Sequence, residues 1–275
     1  MGHKHYVDGT GFVALVDHMP LTDLDDSIVS AARVSYDSGS TKHTRSSEGL
    51  IRYLLRHWHT TPFEMVEFKF HIKMPIFAAR QHLRHRTASV NEISGRYSVL
   101  PQEYFVPTEL RKQSTTNTQG SDEPMEDDTE LIERQAASCD IAFGVYKELI
   151  DSGCGRELAR THLPLSTYTE FFWKINLHNL MHYLHLRMDS HAQKEIREYA
   201  DMIYNLVEPL CPITMKAFMD FRVNSVQFSG PELRVLSRYL TSPSIDIPSS
   251  GELSKGEERE FRDKVQTILK NDSQD

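Results

Sequence analysis

The segment RHRTASVNEISGRY, residues 84–97, is the strongest single indication of both the fold and the functional site in this chain. It places three arginines, one histidine, two serines, one asparagine and one glutamate within fourteen residues. It follows a helix predicted to begin at Pro75, and Gly95 marks a turn near its end. Arginine forks bind phosphate and carboxylate groups bidentately, while serine and asparagine add neutral hydrogen bonds. The segment therefore predicts a discrete anion-binding site.

The charge of the remaining chain makes this segment stand out. The 275 residues carry 31 Lys and Arg against 39 Asp and Glu, a net charge of -8. Between Arg80 and Arg96 there are four arginines and two histidines, His82 and His85, against the single acid Glu92, which predicts a local cationic centre. A nucleotide- or RNA-binding module that is not an enzyme is an alternative, but the patch is short and the chain acidic. The acids are concentrated at Asp122, Glu123, Glu126, Asp127, Asp128, Glu130 and Glu133.

Composition narrows the class of protein. The mean hydropathy is -0.48, and no apolar run approaches the roughly 18 residues of a membrane span. The first residues, MGHKHYVDGTG, lack the apolar stretch of a secretory signal. Cys139, Cys154 and Cys211 form no CxxC pair, which favours a reducing compartment. We expect a cytoplasmic protein with neither a membrane nor a nucleic acid as partner.

Hydrophobic periodicity predicts an α+β fold, with strands early and helices late. Val66, Phe68, Phe70 and Ile72 alternate with polar residues, which is typical of a strand. Residues 108–128 are polar and acidic and are predicted to be an inserted, mobile loop, and residues 223–275 a peripheral extension. The predicted strands are 12–17 and 64–74, and the predicted helices are 25–35 with Thr22 as N-cap, 49–58, 75–83, 129–152, 155–162, 166–187, 190–207 and 211–222.

Two other patterns offer weaker alternatives. GTGFVA at residues 9–14 matches a dinucleotide fingerprint, but it precedes a predicted strand instead of following one. No helix begins there, so the glycines cannot serve at a helix N-terminus as they do in dinucleotide-binding folds. Cys154, between two glycines before a predicted helix, is a candidate nucleophile, although an incidental cysteine in a turn is the simpler interpretation.

A row of metal-ligand side chains is the stronger rival signal. Four of them share one face of a predicted helix, spaced i, i+4, i+7 and i+11, and would suit a metal-dependent nucleotide hydrolase. A polar face that lines a cleft is the other interpretation, and no second cluster has matching spacing. The four residues are His178, His182, His185 and Asp189, with His57 and His59 as further candidates.

Residues 84–97 resemble the signature of the flavin-dependent thymidylate synthases, and match the family form RHRxxSxNExSxRY at every fixed position. HTTPFE at 59–64 is similar to the family's HxTPFE segment, AARVS at 31–35 to its N-terminal helix, and LRMDSHAQKEI at 186–196 to its LRxDxHAQxEI segment. The resemblance spans about residues 10–220. The acidic loop near 115–130 and the tail after about 222 lie outside it.

This resemblance implies a reaction and an architecture. Members of the family methylate dUMP to dTMP, with 5,10-methylenetetrahydrofolate as one-carbon donor and electrons from NADPH that pass through FAD. They are homotetramers with shared active sites and a non-Rossmann α+β fold that combines an antiparallel or mixed sheet with a large helical part. By this resemblance, residues 1–222 are the catalytic domain, with the insertion at about 108–128.

The family's site residues carry over position by position. Arg187 aligns with the residue that activates the uracil ring; because arginine stays protonated, its implied role is electrostatic. No metal is implied. The implied FAD-binding residues are Ser35, His59, Thr61, Glu64, Arg84, His85, Arg86, Ser89, Asn91 and Glu92, with Asn176, His178 and His182 from a neighbouring subunit. The implied dUMP-binding residues are Gln81, Arg84, Glu92, Ser94, Gly95, Arg96, Arg160 and Arg187.

Two positions depart from the family pattern. Met65 stands where many members have a second histidine after HxTPFE, which removes one polar contact near the flavin. His178 stands where others carry arginine. We also expect the acidic loop to point outward, since its charge would repel the glutamates of a folate.

Overall fold

The computed structural model describes residues 2–35, 46–115, 117–239 and 253–270. The chain divides into two compact units, Met1–Asn224 and Ser225–Asp275. Within the described residues, no helix is both long and apolar enough to cross a membrane.

A five-stranded antiparallel sheet forms the centre of the first unit, in the order β1-β2-β3-β7-β4. Phe68, Phe70 and Ile72 of β3 are fully buried, as the alternation predicted, and so is Met74. His71, on the face predicted to be polar, is buried as well. The strands of this sheet are β1 (His5–Tyr6), β2 (Phe12–Met19), β3 (Glu67–Pro75), β4 (Ser89–Glu92) and β7 (Tyr168–Asn176). A separate hairpin pairs β5 (Arg111–Gln113) with β6 (Ser121–Pro124).

Helices enclose the sheet and complete one large apolar core, in which Trp173, Tyr183 and Tyr199 are fully buried. The helices of the first unit are α1 (Leu24–Arg33), α2 (Ser47–Arg56), α3 (Thr61–Glu64), α4 (Ile76–His82), α5 (Thr129–Asp151), α6 (Arg156–Ala159), α7 (Leu177–Arg187), α8 (Lys194–Val207) and α9 (Pro212–Phe218). The second unit contains α10 (Gly230–Tyr239) and α11 (Lys255–Lys270), which contact each other.

The predicted helix 166–187 is wrong in its first half, which forms the strand β7. Aromatic and β-branched residues dominate β7, and its register with β3 runs unbroken from Tyr168 to Asn176. The following eleven residues do form a helix, α7, because the Asn176 side chain caps it by accepting from the backbone N–H of Asn179 over 2.9 Å. The three consecutive aromatic residues 171–173 obscured the change from period 2 to period 3.6.

Three smaller expectations also need correction. The segment 108–128 is not only loop, since it contains the β5–β6 hairpin, although all four residues of β6 are exposed as expected. Asp23, and not Thr22, is the N-cap of α1, in the left-handed conformation with φ 55°. The predicted helices 155–162 and 211–222 each break into a short α-helix and an irregular turn, a 3₁₀ turn at Arg160–His162 and a π turn at Met219–Val223.

Candidate active site

The C-terminal ends of α4 and α7 meet and bring together Gln81, His85 and Arg187, which we call the arginine cluster. The two helices begin at opposite ends of the β3–β7 pair, because Pro75 is opposite Tyr168 and α7 follows Asn176. Arg187 donates from Nε to Nε2 of His85 over 3.0 Å and from Nη2 to the backbone carbonyl of Gln81 over 3.1 Å. Two acceptors therefore hold the guanidinium, and neither of them is a carboxylate.

His85 accepts from Arg187 because its imidazole is neutral. Burial, the charge of Arg187 and the neighbouring His182 lower its pKa from 6.5 to about 4. Its ring lies 5.8 Å from that of His182 and 4.9 Å from that of Tyr183, both edge to face. The neutral ring keeps the guanidinium as the positive charge of this cluster.

His82 is a buried neighbour of the arginine cluster, and its charge state differs from the one that the sequence suggested. It is fully buried against Phe171 and Trp173, and its Nδ1 lies 2.9 Å from the hydroxyl of Tyr183. Burial, and to a smaller extent His85 and Arg187, lower its pKa from 6.5 to about 3. The prediction that His82 and His85 belong to a cationic centre is therefore wrong, since both are neutral near pH 7. The partner of His82 on α7 is Tyr183, a residue that the sequence analysis did not single out.

The start of α7 and the end of α3 form a polar wall beside the arginine cluster. Burial lowers the pKa of His178, and the charges of His182 and Arg222 lower it further. The carboxylate of Glu64 raises it, but the net pKa is below its usual value. His59 and Thr61 are exposed at the start of this wall, and Ser35 is exposed just after α1. The side-chain oxygen of Asn176, by contrast, already accepts hydrogen bonds from Asn179 and so caps α7.

Arg222 is a member of this wall that the sequence analysis missed. Its guanidinium lies 3.7 Å from the centroid of the Trp58 ring, in a cation–π contact. It also donates to the backbone carbonyl of Leu55, and burial lowers its pKa. No motif marks Arg222, since it comes from a turn far along the chain, so only the fold identifies it.

The signature segment leaves α4 and becomes the edge strand of the sheet. Arg84 and Arg86 are exposed and form no ion pair with any described residue. Ser89 and Asn91 lie on β4, whose four residues are all exposed and whose outer edge has no further strand in the five-stranded sheet. Exposed arginines next to an open row of polar groups suit an anionic ligand.

A second group, the turn cluster, contains Ser94, Gly95, Arg96 and Arg160. The backbone N–H of Arg96 donates to Oγ of Ser94 over 3.2 Å, and the Arg96 side chain lies 3.4 Å from a carboxylate oxygen of Glu157 with both groups largely exposed. A Cβ at Gly95 would lie 3.1 Å from Cδ of Arg160, so this glycine lets the Arg160 side chain pack against the turn. Two arginines are thus gathered at one exposed turn.

Glu92, the last residue of β4, accepts a hydrogen bond from the Thr169 hydroxyl on the neighbouring strand β7. Among the described residues, no hydrogen bond or ion pair joins the arginine cluster to the turn cluster. The residues predicted to bind dUMP therefore fall into two groups that do not hydrogen-bond to each other within the ranges that the structure describes.

The alternatives find little geometric support. No three His, Cys, Asp or Glu side chains of the described ranges are arranged to hold a metal ion, and the carboxylate of Asp189 instead binds His191 over 2.8 Å. Cys154 is partly buried and packs against the small apolar cluster of Phe143, Tyr146 and Ala159. Its position is that of a packing residue in a turn.

Comparisons with known proteins agree with the signature. The family model described as thymidylate synthase complementing protein matches residues 14–213. The flavin-dependent thymidylate synthase of Dictyostelium discoideum is 48% identical, with 94% of this chain and 88% of that protein covered, and that of Thermus thermophilus is 50% identical, with 84% of each covered. The matched residues agree with the expected span of the family resemblance, about residues 10–220. The alignment with the Dictyostelium protein covers 94% of the chain and so extends into the tail as well.

The fold has a solved counterpart. The crystal structure of a UMP/dUMP methylase, PolB, from Streptomyces cacaoi bound with 5-Br dUMP is 35% identical, with a TM-score of 0.69, and covers 78% of this chain and 97% of that one. The residues that the family model matches, 14–213, lie within the unit that carries the two clusters. The chain belongs to the thymidylate synthase complementing protein family.

Proposed function

We propose that this chain converts dUMP to dTMP as a flavin-dependent thymidylate synthase. The methylene group of 5,10-methylenetetrahydrofolate becomes the methyl group at C5 of the pyrimidine, NADPH supplies the hydride equivalent, and tetrahydrofolate and NADP⁺ leave. The observation that carries the proposal is the fixed, charged guanidinium of Arg187 beside the unpaired arginines of the signature segment.

The donor set suits FAD. Arg84 and Arg86 offer two unpaired cations for a pyrophosphate, and the exposed Ser89 and Asn91 on the open edge of β4 offer neutral donors and acceptors. When bound, FAD supplies the redox chemistry that passes reducing equivalents from NADPH to the one-carbon unit. The residues of the chain hold it in place, and the neutral imidazoles of His85 and His178 suit carbonyl and ring N–H groups.

The remaining implied FAD contacts come from the polar wall. We propose that His59, Thr61, Glu64 and His182 complete the site, with Ser35 at its margin. Arg222 adds a cation to this wall, close to the position where His178 replaces the arginine of other members. Asn176 contributes first of all to the geometry of α7, because its side chain already caps that helix.

For dUMP, we propose that the turn cluster binds the phosphate and the arginine cluster the base. Arg96 and Arg160 supply bidentate donors, and Ser94 and Gly95 form the turn on which they rest. Glu92 accepts from the Thr169 hydroxyl through Oε1, and we propose that its exposed carboxylate also contributes to the binding of dUMP.

Arg187 acts on the pyrimidine electrostatically. The guanidinium stays protonated and cannot serve as a base, but it stabilises negative charge that develops on the uracil ring. Its orientation is set before the substrate arrives by His85 and Gln81. Preorganisation of this kind removes the cost of reorienting a long side chain during the reaction.

We also propose that the active enzyme is a homotetramer in which subunits share sites. The family resemblance supports this, since members of the family are homotetramers with shared active sites. In such an assembly the turn cluster of one subunit could face the arginine cluster of another. We assign catalysis to the unit Met1–Asn224 and place the reaction in the cytoplasm, where the three free cysteines stay reduced.

The direct test is dTMP formation by purified protein supplied with dUMP, FAD, NADPH and methylenetetrahydrofolate, with each omitted in turn. We expect product only in the complete mixture and a particle of four chains by light scattering. Product without flavin, or a fully active monomer, would contradict the proposal.

A further inference from the structure

Trp58 has a backbone conformation that suits glycine, and it presents a large aromatic ring to solvent. Its φ is 59°, in the left-handed region, and the residue is 65% exposed. A bulky residue with a positive φ is rare, because its Cβ crowds the following carbonyl oxygen. Strained conformations of this kind are concentrated at catalytic and ligand-binding sites. Trp58 therefore calls for an explanation beyond the packing of the fold.

The conformation of Trp58 belongs to the end of α2. His57 is the C-cap of that helix, so Trp58 is the first residue beyond it. The backbone N–H of Trp58 donates to the carbonyl of Leu55 over 3.4 Å. The backbone N–H of His59 donates to the carbonyl of Leu54 over 3.0 Å. These two bonds form a Schellman motif, whose left-handed position is usually glycine. A glycine would end α2 equally well, so the turn does not need the indole.

Arg222 supports the indole from one side. Its guanidinium lies 3.7 Å from the centroid of the Trp58 ring and also donates to the backbone carbonyl of Leu55, at the end of the same helix. A residue that is 65% exposed while a guanidinium covers one face of its ring presents the other face to solvent. The indole is therefore a flat surface that is oriented before any ligand arrives.

This surface borders the polar wall that is proposed above to hold FAD. His59, the next residue along the chain, is one of the implied FAD contacts, and Arg222 is close enough to His178 to lower its pKa. FAD carries two flat rings, isoalloxazine and adenine, and flat heteroaromatic rings stack on exposed aromatic side chains. The wall residues named above include no phenylalanine, tyrosine or tryptophan. Trp58 adds the large aromatic surface that this set lacks.

We propose that Trp58 is an FAD-binding residue whose indole stacks on one of the two flat rings of the cofactor, with Arg222 fixing the indole from behind. The proposal rests on the function proposed above. Loss of the indole should weaken FAD binding about 5- to 20-fold, the lower part of the range for a base stacked on an aromatic side chain. Because the contact needs a flat face, phenylalanine should keep most of it.

The variant Trp58→Gly separates the stacking contact from the stability of the fold. Glycine adopts a positive φ without strain, which offsets the lost contact with Arg222, so we expect a melting temperature close to that of the wild type. Calorimetric titration of the full-length, flavin-free proteins with FAD measures the Kd. We expect it to rise about 5- to 20-fold in Trp58→Gly and less than about 3-fold in Trp58→Phe. Tyr6→Ala removes another exposed aromatic ring, from β1, and should leave the Kd unchanged.

Titrations with FMN and with ADP identify the stacked ring. FMN carries the isoalloxazine and ADP the adenine, so the fragment that Trp58→Gly binds less tightly than the wild type contains the ring that stacks on Trp58. If neither fragment binds the wild type measurably, the Kd values for FAD of Trp58→Gly and Trp58→Phe decide.

The outcomes separate this role from the proposed function. Equal Kd values for FAD in Trp58→Gly and the wild type would overturn the stacking role. Equally weak FAD binding in Trp58→Gly and Trp58→Phe would also overturn it, and so would weaker FAD binding with unchanged binding of both fragments. If Trp58→Gly does not fold, Trp58→Asn takes its place, because asparagine also tolerates a positive φ. A wild-type protein that binds no FAD would instead overturn the proposed function.

Discussion

Arg187 and His85 form a hydrogen bond of 3.0 Å in which a guanidinium donates to an imidazole nitrogen. The pair exists because burial and the arginine itself lower the pKa of His85 to about 4. An acceptor that carries no negative charge orients the arginine without neutralising it. The full positive charge is therefore available to the substrate, which is what electrostatic activation of a pyrimidine requires.

Replacing Arg187 by lysine tests this arrangement. Lysine keeps the charge but cannot donate to His85 and to the Gln81 carbonyl in the same fixed geometry. We expect kcat for dTMP formation to fall about 100- to 1,000-fold, the usual cost of losing a preorganised electrostatic contact, with FAD retained after desalting. If Arg187→Lys turns over as fast as the wild type, the charge alone suffices and the orientation of the guanidinium is unimportant.

The buried His82 makes the stability of the protein depend on pH. Its pKa is about 3 in the folded state and about 6.5 in an unfolded chain, so the unfolded state binds more protons as the pH falls below 6.5. Stability therefore decreases on acidification, and between pH 7 and pH 5 this histidine accounts for about 2 kcal/mol.

Urea unfolding of His82→Gln at these two pH values measures that contribution. Glutamine does not titrate and offers the Tyr183 hydroxyl a hydrogen-bond partner, so we expect a smaller loss of stability at pH 5 than in the wild type. His185→Gln, at an exposed position on α7, is the control and should behave as the wild type does. Equal pH dependence in His82→Gln and the wild type would show that His82 is not responsible.

Gly95 is predicted to control the position of Arg160. A Cβ at this position would lie 3.1 Å from Cδ of Arg160 and 3.1 Å from Cδ1 of Leu100, so Gly95→Ala must displace the arginine side chain. We expect the KM for dUMP to rise about tenfold with FAD binding unchanged. Gly144→Ala, where a Cβ on α5 meets nothing within 4 Å, should leave KM unchanged. An unaltered KM for dUMP in Gly95→Ala would show that Arg160 does not bind the phosphate of dUMP.

Arg86 is predicted to bind the pyrophosphate of FAD. It is exposed and forms no ion pair with the described residues, so its removal should cost little stability. We expect Arg86→Ala to raise the Kd for FAD about tenfold, measured by the quenching of flavin fluorescence. Arg80→Ala is the matched control, because Arg80 is an exposed arginine of α4 outside the signature segment. Equal effects of the two substitutions would indicate a general electrostatic influence instead of a specific contact.

Local pattern predicted the parts of this site that are close in sequence. The alternation in β3 and the start of α4 after Pro75 were both readable, because side-chain period and proline chemistry are local properties. The strand β4 within the signature segment was not predicted, since its four residues are exposed and carry no apolar alternation. The strand β7 was missed because an aromatic run fits a buried helix or a buried strand equally well.

Long-range contacts could not be predicted in the same way. The neutrality of His82 depends on Trp173 and Tyr183, which reach it only through the pairing of the sheet and the return of α7. Arg222 approaches His178 from the end of the first unit, with no motif to mark it. The grouping of the predicted dUMP-binding residues is equally a property of the fold, since Arg160 packs against Gly95 although 65 residues separate them in sequence.

The central claim is that reduced flavin on this protein drives the methylation of dUMP. The most direct measurement is a single turnover without oxygen, in which FAD-loaded protein is reduced by NADPH, freed of excess NADPH, and mixed with dUMP and methylenetetrahydrofolate. We predict that the visible absorbance of oxidised flavin returns as dTMP forms in equal amount. Return of the absorbance without dTMP, or dTMP formation at the same rate by flavin-free protein, would contradict the account.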